Sequence, residues 1–395
     1  MISVGEAKSL VNDFSDLLDS VSMPIQTACG LVLAKDHFAD YDIPGFDQSS
    51  MDGYAFAYND WKNTRQLLVK GEMAAGITDM HNLERGEACR IFTGAPLPDG
   101  ADTIIMQEKV KLHNGSLEIL DALIQKGNHV RKRGSEIGAG QRALAAGSCL
   151  TPAAIGFLAG IGKEKVTVYP NPRITVIITG RELRQPGQGL AFGQVYESNS
   201  FSLGAAMKRA GLEEPTVVWV DDDPALVKNA IAKGLEEHDL ILLTGGISVG
   251  DYDFVLESAT ACGIQQIFHN VKQRPGKPLY FGKKEKQIIF GLPGNPSSVL
   301  TCFYEYVLTA INKMKGLNRE GLEKKWAMMG QNFTKTTSLT HFLKGNVESE
   351  YVYPLEAQES YRMSSFAQAN CLVCLPEKQQ EWSVGDQVEV HLLPS

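Results

Sequence analysis

Between Leu240 and Val299 the chain sets three glycine- and proline-shaped turns against apolar segments: LILLTGGISVGDYDFV, RPGKPLYFG and IIFGLPGNPSSVL. Alternating β-rich runs and tight turns are how an α/β domain lines a crevice at the ends of its parallel strands. These turns carry Asp251, Asp253, Arg274, Lys277, Asn295 and Ser297. Such side chains suit a phosphorylated or otherwise anionic ligand held with a divalent cation. Gly245, Gly246 and Gly250, with Ser248 between them, allow close backbone approach. The loop matches neither the GxxxxGK[ST] phosphate loop nor the dinucleotide GxGxxG pattern.

Around this run the alternation is regular. RITVIITG leads to a helix near Asn199–Ala210, TVVWV to a helix over Pro224–Glu237, and LILLTG to a helix near Phe254–Ala261. GIQQIFHNV, PLYFG and QIIFGLPG read as further strands before a helix starting near Pro296. This order predicts a three-layer α/β domain over residues 166–315. The preceding 1–165 region opens with an amphipathic helix over residues 1–20 and continues as extended chain. It carries a β-rich module, about 47–130, expected to be antiparallel, and a helix capped by Thr151-Pro152. Residues 318–395 lose the alternation and read as a small β-barrel-like domain built on EYVYPLEA, CLVCLP and DQVEVHLL. A chain of 395 residues exceeds one ordinary core, which agrees with this division.

A net charge of −8 with no long basic stripe argues against nucleic acid as the main partner. No stretch approaches 18 apolar residues, so no membrane span is expected. The amino-terminal residues lack a signal peptide's basic and apolar regions, and a cytoplasmic location follows. Seven cysteines, mostly in apolar settings, read as reduced, buried thiols. Cys371 and Cys374 form a CLVC pair, but no second pair or clustered histidine accompanies it, so the pair reads as part of a strand.

Several side chains carry two readings each. Asp221, Asp222 and Asp223 follow a buried-looking strand, where they can hold a hard cation or face the free amides of the next helix. Asp253 is the better metal candidate of its loop. Arg274, Lys277 and Lys272 surround two prolines that restrict the backbone and can hold cations toward a pocket. Asn295 and Ser297, just after Pro293, adjoin a helix start whose amides suit an anion. Asp52 can serve chemistry or only an Asp-Gly turn, and Thr93 can belong merely to the GAPLP turn. Glu182 stands between ligand and salt-bridge roles. His269, nearest the basic loop, reads as packing or hydrogen bonding rather than as a general base.

The motifs SSMDGYA, IFTGAPLPDGAD, ITGREL, GQVYESNS, GGISVGDYDF, RPGKPLYFG and LPGNPSS together resemble the molybdopterin molybdenumtransferase family, related to the gephyrin E domain. The likeness runs in order along essentially the whole chain. It implies molybdenum cofactor biosynthesis: molybdate and adenylylated molybdopterin as substrates, Mg²⁺-assisted release of AMP, and molybdenum left on the dithiolene. It also implies a homodimer with a cross-subunit active cleft. Possible partners are the molybdopterin adenylyltransferase and recipient molybdoenzymes or their chaperones.

By motif position the resemblance implies catalytic roles for Asp52, Thr93, Glu182, Asp222, Asp253 and Lys277, with Glu182, Asp222 and Asp253 on the metal. It assigns ligand binding to Gly245, Gly246, Ser248, Gly250, Arg274, Lys277, Pro293, Asn295 and Ser297. Lys344 and Ser360 of the C-terminal domain would contribute to the same cleft. The chain departs from the family's pattern at Arg181, where aspartate is common, and at Lys344, where an arginine stands. A lysine cannot reproduce the bidentate fork of arginine. Glu359 replaces a glycine and Glu136 an aspartate. Two alternatives remain: a molybdopterin adenylyltransferase, which would lack MDGYA and FTGAPLP, and a non-catalytic molybdopterin-binding or scaffold protein.

Overall fold

Helix α1 (Val4–Phe14) begins where the Ser3 hydroxyl accepts the amide of Glu6, and it buries Ala7 and Val11, one turn apart. The helix expected through residue 20 ends sooner. Ser15 turns its hydroxyl back to the Val11 carbonyl at 2.6 Å, and its own backbone is extended. A computed structural model describes residues 1–77, 79, 81–245 and 254–394. They form two units: Met1–Met23, Ala28–Ala34 and Thr167–Ser395 in one, Pro24–Thr27 and Lys35–Val166 in the other.

The second of these units contains a six-stranded sheet: β1 (Gly53–Phe56), β2 (Leu67–Met73), β3 (Glu87–Ile91), β4 (Thr103–Met106), β5 (Val110–His113) and β6 (Ser116–Ile119). They lie in the order β4-β1-β3-β2-β6-β5. The expectation of an antiparallel module is corrected at one pair, because β2 and β3 run parallel. The 74–86 link is long enough to return the chain to the same end of the sheet, which a hairpin turn is not. A short helix, α2 (Tyr58–Thr64), also follows β1, where Trp61 packs beside Phe56. Both faces of β1 are covered, with Phe56 in one cluster and Ala55 in the other. Gly53 is required at its start: a Cβ there would lie 1.9 Å from the Ile105 carbonyl oxygen. Helix α3 (Pro152–Gly160) is capped by Thr151, which accepts the amide of Ala154.

In the first unit, β7 (Ile174–Thr179) and β9 (Leu240–Thr244) are buried at every position, as strands covered on both faces must be. With β8 (Thr216–Val220), β10 (Gln265–His269), β12 (Tyr280–Lys284) and β13 (Gln287–Leu292) they form a sheet in the order β8-β7-β9-β13-β12-β10. Strands β8, β7, β9 and β13 are parallel, and the β12 and β10 edge is antiparallel. Successive side chains point to opposite faces. Ile174, Val176 and Ile178 therefore pack with α1, α4 (Asn199–Arg209) and the helices after Asn295, while Ile177 packs with α5 (Pro224–Glu237) and α6 (Phe254–Ala261). The three-layer expectation holds. The helix after Asn295 runs as α7 (Pro296–Cys302), a π-helical turn over Phe303–Val307, and α8 (Leu308–Met314).

The C-terminal strands are β14 (Glu323–Met329), β15 (Thr340–Glu348), β16 (Tyr351–Pro354), β17 (Cys371–Leu375) and β18 (Gln387–Leu392). They pair as β15-β16-β14-β18-β17, and β17 returns to β15, closing the barrel. The two-residue strand β11 (Gln273–Arg274) adds in parallel to β15. Cys29 and Cys149 prove exposed, unlike the buried Cys89, Cys302 and Cys371. Among the described residues no helix is long and apolar enough to cross a membrane.

Gly53→Ala should cost about 3 kcal/mol, read from urea midpoints, because the added carbon drives β1 away from β4. His341, buried on β15, is pushed down to about 4 by burial and by the charges of Arg274 and Lys335. The unfolded chain binds this proton near pH 6.5, so between pH 6.5 and 4 it holds more protons than the folded one. Stability should fall as pH drops through that window, and His341→Gln should flatten the slope.

Candidate active site

Parallel register places the ends of four strands at one level. Thr179 pairs with Val220, Ile178 with Thr244, and Thr244 with Leu292. The turns that follow therefore stand side by side along the carboxyl edge of the sheet, around a cleft of about 960 Å³. Thr179 ends β7, Gly180, Arg181 and Glu182 come from the turn after it, Asp222 from the turn after β8, and Gly245 from that after β9. Pro293, Gly294 and Asn295 come from the turn after β13, Pro278 from the RPGKP loop, and Tyr361 from the C-terminal domain. Gly245 has φ of +92°, and a Cβ there would lie 2.4 Å from the Thr179 carbonyl oxygen. Only glycine lets these two turns touch.

The three aspartates after β8 divide their tasks. Asp223 is the cap of α5 and accepts the amides of Ala225 and Leu226 at 2.9 and 3.1 Å. Asp222 faces the cleft, taking the Thr179 hydroxyl on one oxygen and the Arg181 amide, at 3.2 Å, on the other. Each oxygen keeps acceptor capacity beyond these single bonds. Glu182 is exposed on the same rim. Glu182 and Asp222 thus offer hard oxygen donors of the type Mg²⁺ takes. Asp253 and Asp251, with Gly246, Ser248 and Gly250, lie outside the described residues.

The basic loop is held from beneath. Gln273 is fully buried and donates its side-chain amide to the carbonyls of Pro275 and Gly276, both at 3.1 Å. The Tyr306 hydroxyl donates to its oxygen. Arg274 and Lys277 remain exposed, and no carboxylate pairs with either among the described residues. Of this loop, only Pro278 borders the cleft itself.

The turn after β13 is joined to the C-terminal domain. Asn295 donates to the Ser360 hydroxyl at 2.9 Å, and the Ser297 amide donates to the Ser360 carbonyl at 3.1 Å. Lys344 is buried, and its ammonium donates to the carbonyls of Ala357, Glu359 and Arg362. It shapes the loop that carries Ser360 and Tyr361 and does not stand as an open cation. Burial lowers its pKa.

Among the lining residues that sequence reasoning did not single out are Tyr196, Glu197, Asn199 and Tyr361. Glu197 is buried and accepts both the amide and the hydroxyl of Ser200 at the start of α4. An acid just before a helix was the available signal. Asn199 donates to the Gly294 carbonyl, while its Oδ1 and the Ser297 hydroxyl are buried without a hydrogen-bond partner among the described residues. Unsatisfied buried groups beside a cleft mark where a polar ligand would supply the missing bonds.

Asp52 and Thr93 lie in the other unit and form one feature. The Asp52 carboxylate accepts both the amide and the hydroxyl of Thr93 at 2.8 Å. These bonds hold its pKa below the ordinary range, and the nearby Arg90 adds to the effect. Arg90 is itself fixed by the Gly53 carbonyl and by Gln107.

A cleft across the carboxyl edge of a parallel sheet, on a chain that also carries a β-rich module and a closed barrel, defines a multidomain α/β protein built around a polar small-molecule site. Comparison with known proteins makes the class specific. The chain belongs to the MoeA, or molybdopterin molybdenumtransferase, family of molybdenum cofactor biosynthesis. Residues 2–162 match the MoeA N-terminal region (domain I and II), 175–313 a probable molybdopterin binding domain, and 327–393 the MoeA C-terminal region (domain IV). It is 33% identical to a molybdopterin molybdenumtransferase of Nostoc sp., covering 100% of this chain and 94% of that protein. To the one of Haemophilus influenzae it is 31% identical, covering 96% and 98%. A solved structure of a molybdopterin biosynthesis MoeA protein from Pyrococcus horikoshii superposes with a TM-score of 0.85 at 30% identity, covering 100% of both chains.

In a double-mutant cycle, Asn295→Ala and Ser360→Ala should show a coupling of about 1 kcal/mol in urea unfolding, since each removes the same hydrogen bond.

Proposed function

We propose that this protein inserts molybdenum from molybdate into adenylylated molybdopterin, with Mg²⁺-assisted release of AMP. The observation that carries the reading is Asp222, locked at the carboxyl edge of the sheet and turned to the cleft while its neighbour Asp223 caps the helix. Bound Mg²⁺ would offset charge on the phosphoanhydride and polarise the bond to be broken. Asp222 and Glu182 would hold it, with Asp253 as the third expected ligand. Arg274 and Lys277, free of carboxylate partners among the described residues, would bind molybdate and phosphate oxygens. Asn199 and Ser297 would meet polar atoms of the substrate.

An oxygen of water or molybdate attacks phosphorus, the phosphoanhydride P–O bond breaks, and AMP leaves. Molybdenum stays on the two sulfurs of the substrate, so no protein thiol is needed. Asp52 positions reacting groups, its geometry set by Thr93. On the same reading the chain works as a cytoplasmic homodimer. The Asp52–Thr93 pair of each subunit would serve the cleft of the other, the adenylyltransferase would supply the substrate, and molybdoenzymes or their chaperones would receive the product.

The reaction is tested by following AMP release and metal retained on the dithiolene, with and without molybdate and Mg²⁺. Release should require molybdate, and Asp222→Asn should lower it by at least about 100-fold. Formation of adenylylated molybdopterin from nucleotide would favour the adenylyltransferase instead. Tight binding without either reaction would favour a binding protein. Mixing inactive Asp52→Asn and Asp222→Asn subunits should restore about a quarter of wild-type activity if sites are shared across a dimer, since half the dimers are mixed and each holds one intact site. No recovery would place both residues in the same subunit's site.

A further inference from the structure

The C-terminal barrel gathers a second set of chemistry-bearing side chains. Glu389 and His391 lie two residues apart on β18 and so share a face, and the antiparallel register sets Cys374 of β17 opposite Glu389. The sulfur, a carboxylate oxygen and a ring nitrogen of these residues lie within 4.8 Å of one another. Cys371, the other half of the CLVC pair, faces the apolar interior of the barrel beside Val373 and Leu375. The partners of Cys374 are therefore set by register and are invisible to a search for CxxC spacing.

The histidine ring is oriented from its far side. Nδ1 of His391 lies 2.7 Å from Oε1 of Glu305, and Nε2 lies 2.7 Å from Oε1 of Glu389. Glu305 is buried in the π-helical turn and takes the Lys8 ammonium on its other oxygen at 2.5 Å. Lys324 stands 3.8 Å from Glu389. A carboxylate on one ring nitrogen, with a thiol and a second carboxylate around the other, is the inner and outer arrangement of a zinc site.

The geometry points to a Zn²⁺ site formed by Sγ of Cys374, a carboxylate oxygen of Glu389 and Nε2 of His391, with Glu305 as the carboxylate that orients the ring. Zn²⁺ binds Cys374 as the thiolate and His391 through an unprotonated Nε2, and the protons it displaces leave to solvent. Zinc bonds of about 2.0–2.3 Å space the ligands roughly 3.5 Å apart, so the Glu389 oxygen, 2.7 Å from Nε2, must swing outward to admit the ion. The Glu389 side chain, 30% exposed, can supply that movement and opens the fourth position to water. None of Cys374, Glu389 and His391 borders the cleft, so the inference does not depend on the proposed reaction.

The test uses the full chain after chelation, with Cys29→Ser and Cys149→Ser removing the exposed thiols. Titration with Co²⁺ should raise a thiolate-to-metal charge-transfer band that saturates at one equivalent and is displaced by Zn²⁺. Cys374→Ser should abolish the band. Glu305→Gln should keep it but weaken Zn²⁺ affinity 10–100-fold, as loss of the orienting carboxylate does. Far-ultraviolet circular dichroism checks that each variant is folded. A second readout is the rise in melting temperature on adding Zn²⁺, which folded Cys374→Ser should lose. No band at one equivalent, or a band and a thermal shift unchanged by Cys374→Ser, would overturn the site and leave the cluster as an ion-paired network.

Discussion

Everything at the cleft depends on the register of four parallel strands. Because β7, β8, β9 and β13 end at one level, turns drawn from over a hundred residues of sequence lie next to each other. The level is enforced by burial: a one-residue slip in β7 would turn Ile174, Val176 and Ile178 from one helical layer to the other. The contact of Gly245 against the Thr179 carbonyl then brings two of those turns together, and Asp222 ties a third to them through Thr179 and Arg181. The cleft is thus a consequence of sheet packing, with its polar groups held before any ligand arrives.

A second layer of support comes from residues that never reach the cleft. Gln273 and Tyr306 fix the backbone of the RPGKP loop, leaving Arg274 and Lys277 free of internal carboxylate partners among the described residues. Lys344 places its charge on three carbonyls and so shapes the loop that brings Ser360 to Asn295. A buried ammonium satisfied by carbonyls is costly to remove, because its loss leaves those acceptors unpaired. The C-terminal barrel is in this way a structural part of the cleft's rim.

Much of the fold was legible because local signals agreed with tertiary ones. Pro224 and Pro296 at helix starts, and fully apolar runs at β7 and β9, left few other readings. The parallel β2–β3 pair was not legible, since nothing in either strand records the direction of its neighbour. The early end of α1 turned on one serine hydroxyl competing for the Val11 carbonyl. At the site, turn residues were legible as a group, but individual roles were not. Asp222 and Asp223 are alike in sequence, and only the helix geometry assigns one to the cap and the other to the cleft. Lys344 read as an available cation because burial cannot be seen in a β-rich segment with weak alternation. Cys374 and His391 are separated along the chain and meet only through strand pairing.

The most direct test of the central claim is to locate the metal. Crystals soaked with adenylylated molybdopterin and molybdate should give an anomalous molybdenum peak in the cleft bordered by Thr179, Asp222 and Asn295. A fully occupied peak away from the carboxyl edge of the parallel sheet, with the cleft empty, would contradict the account.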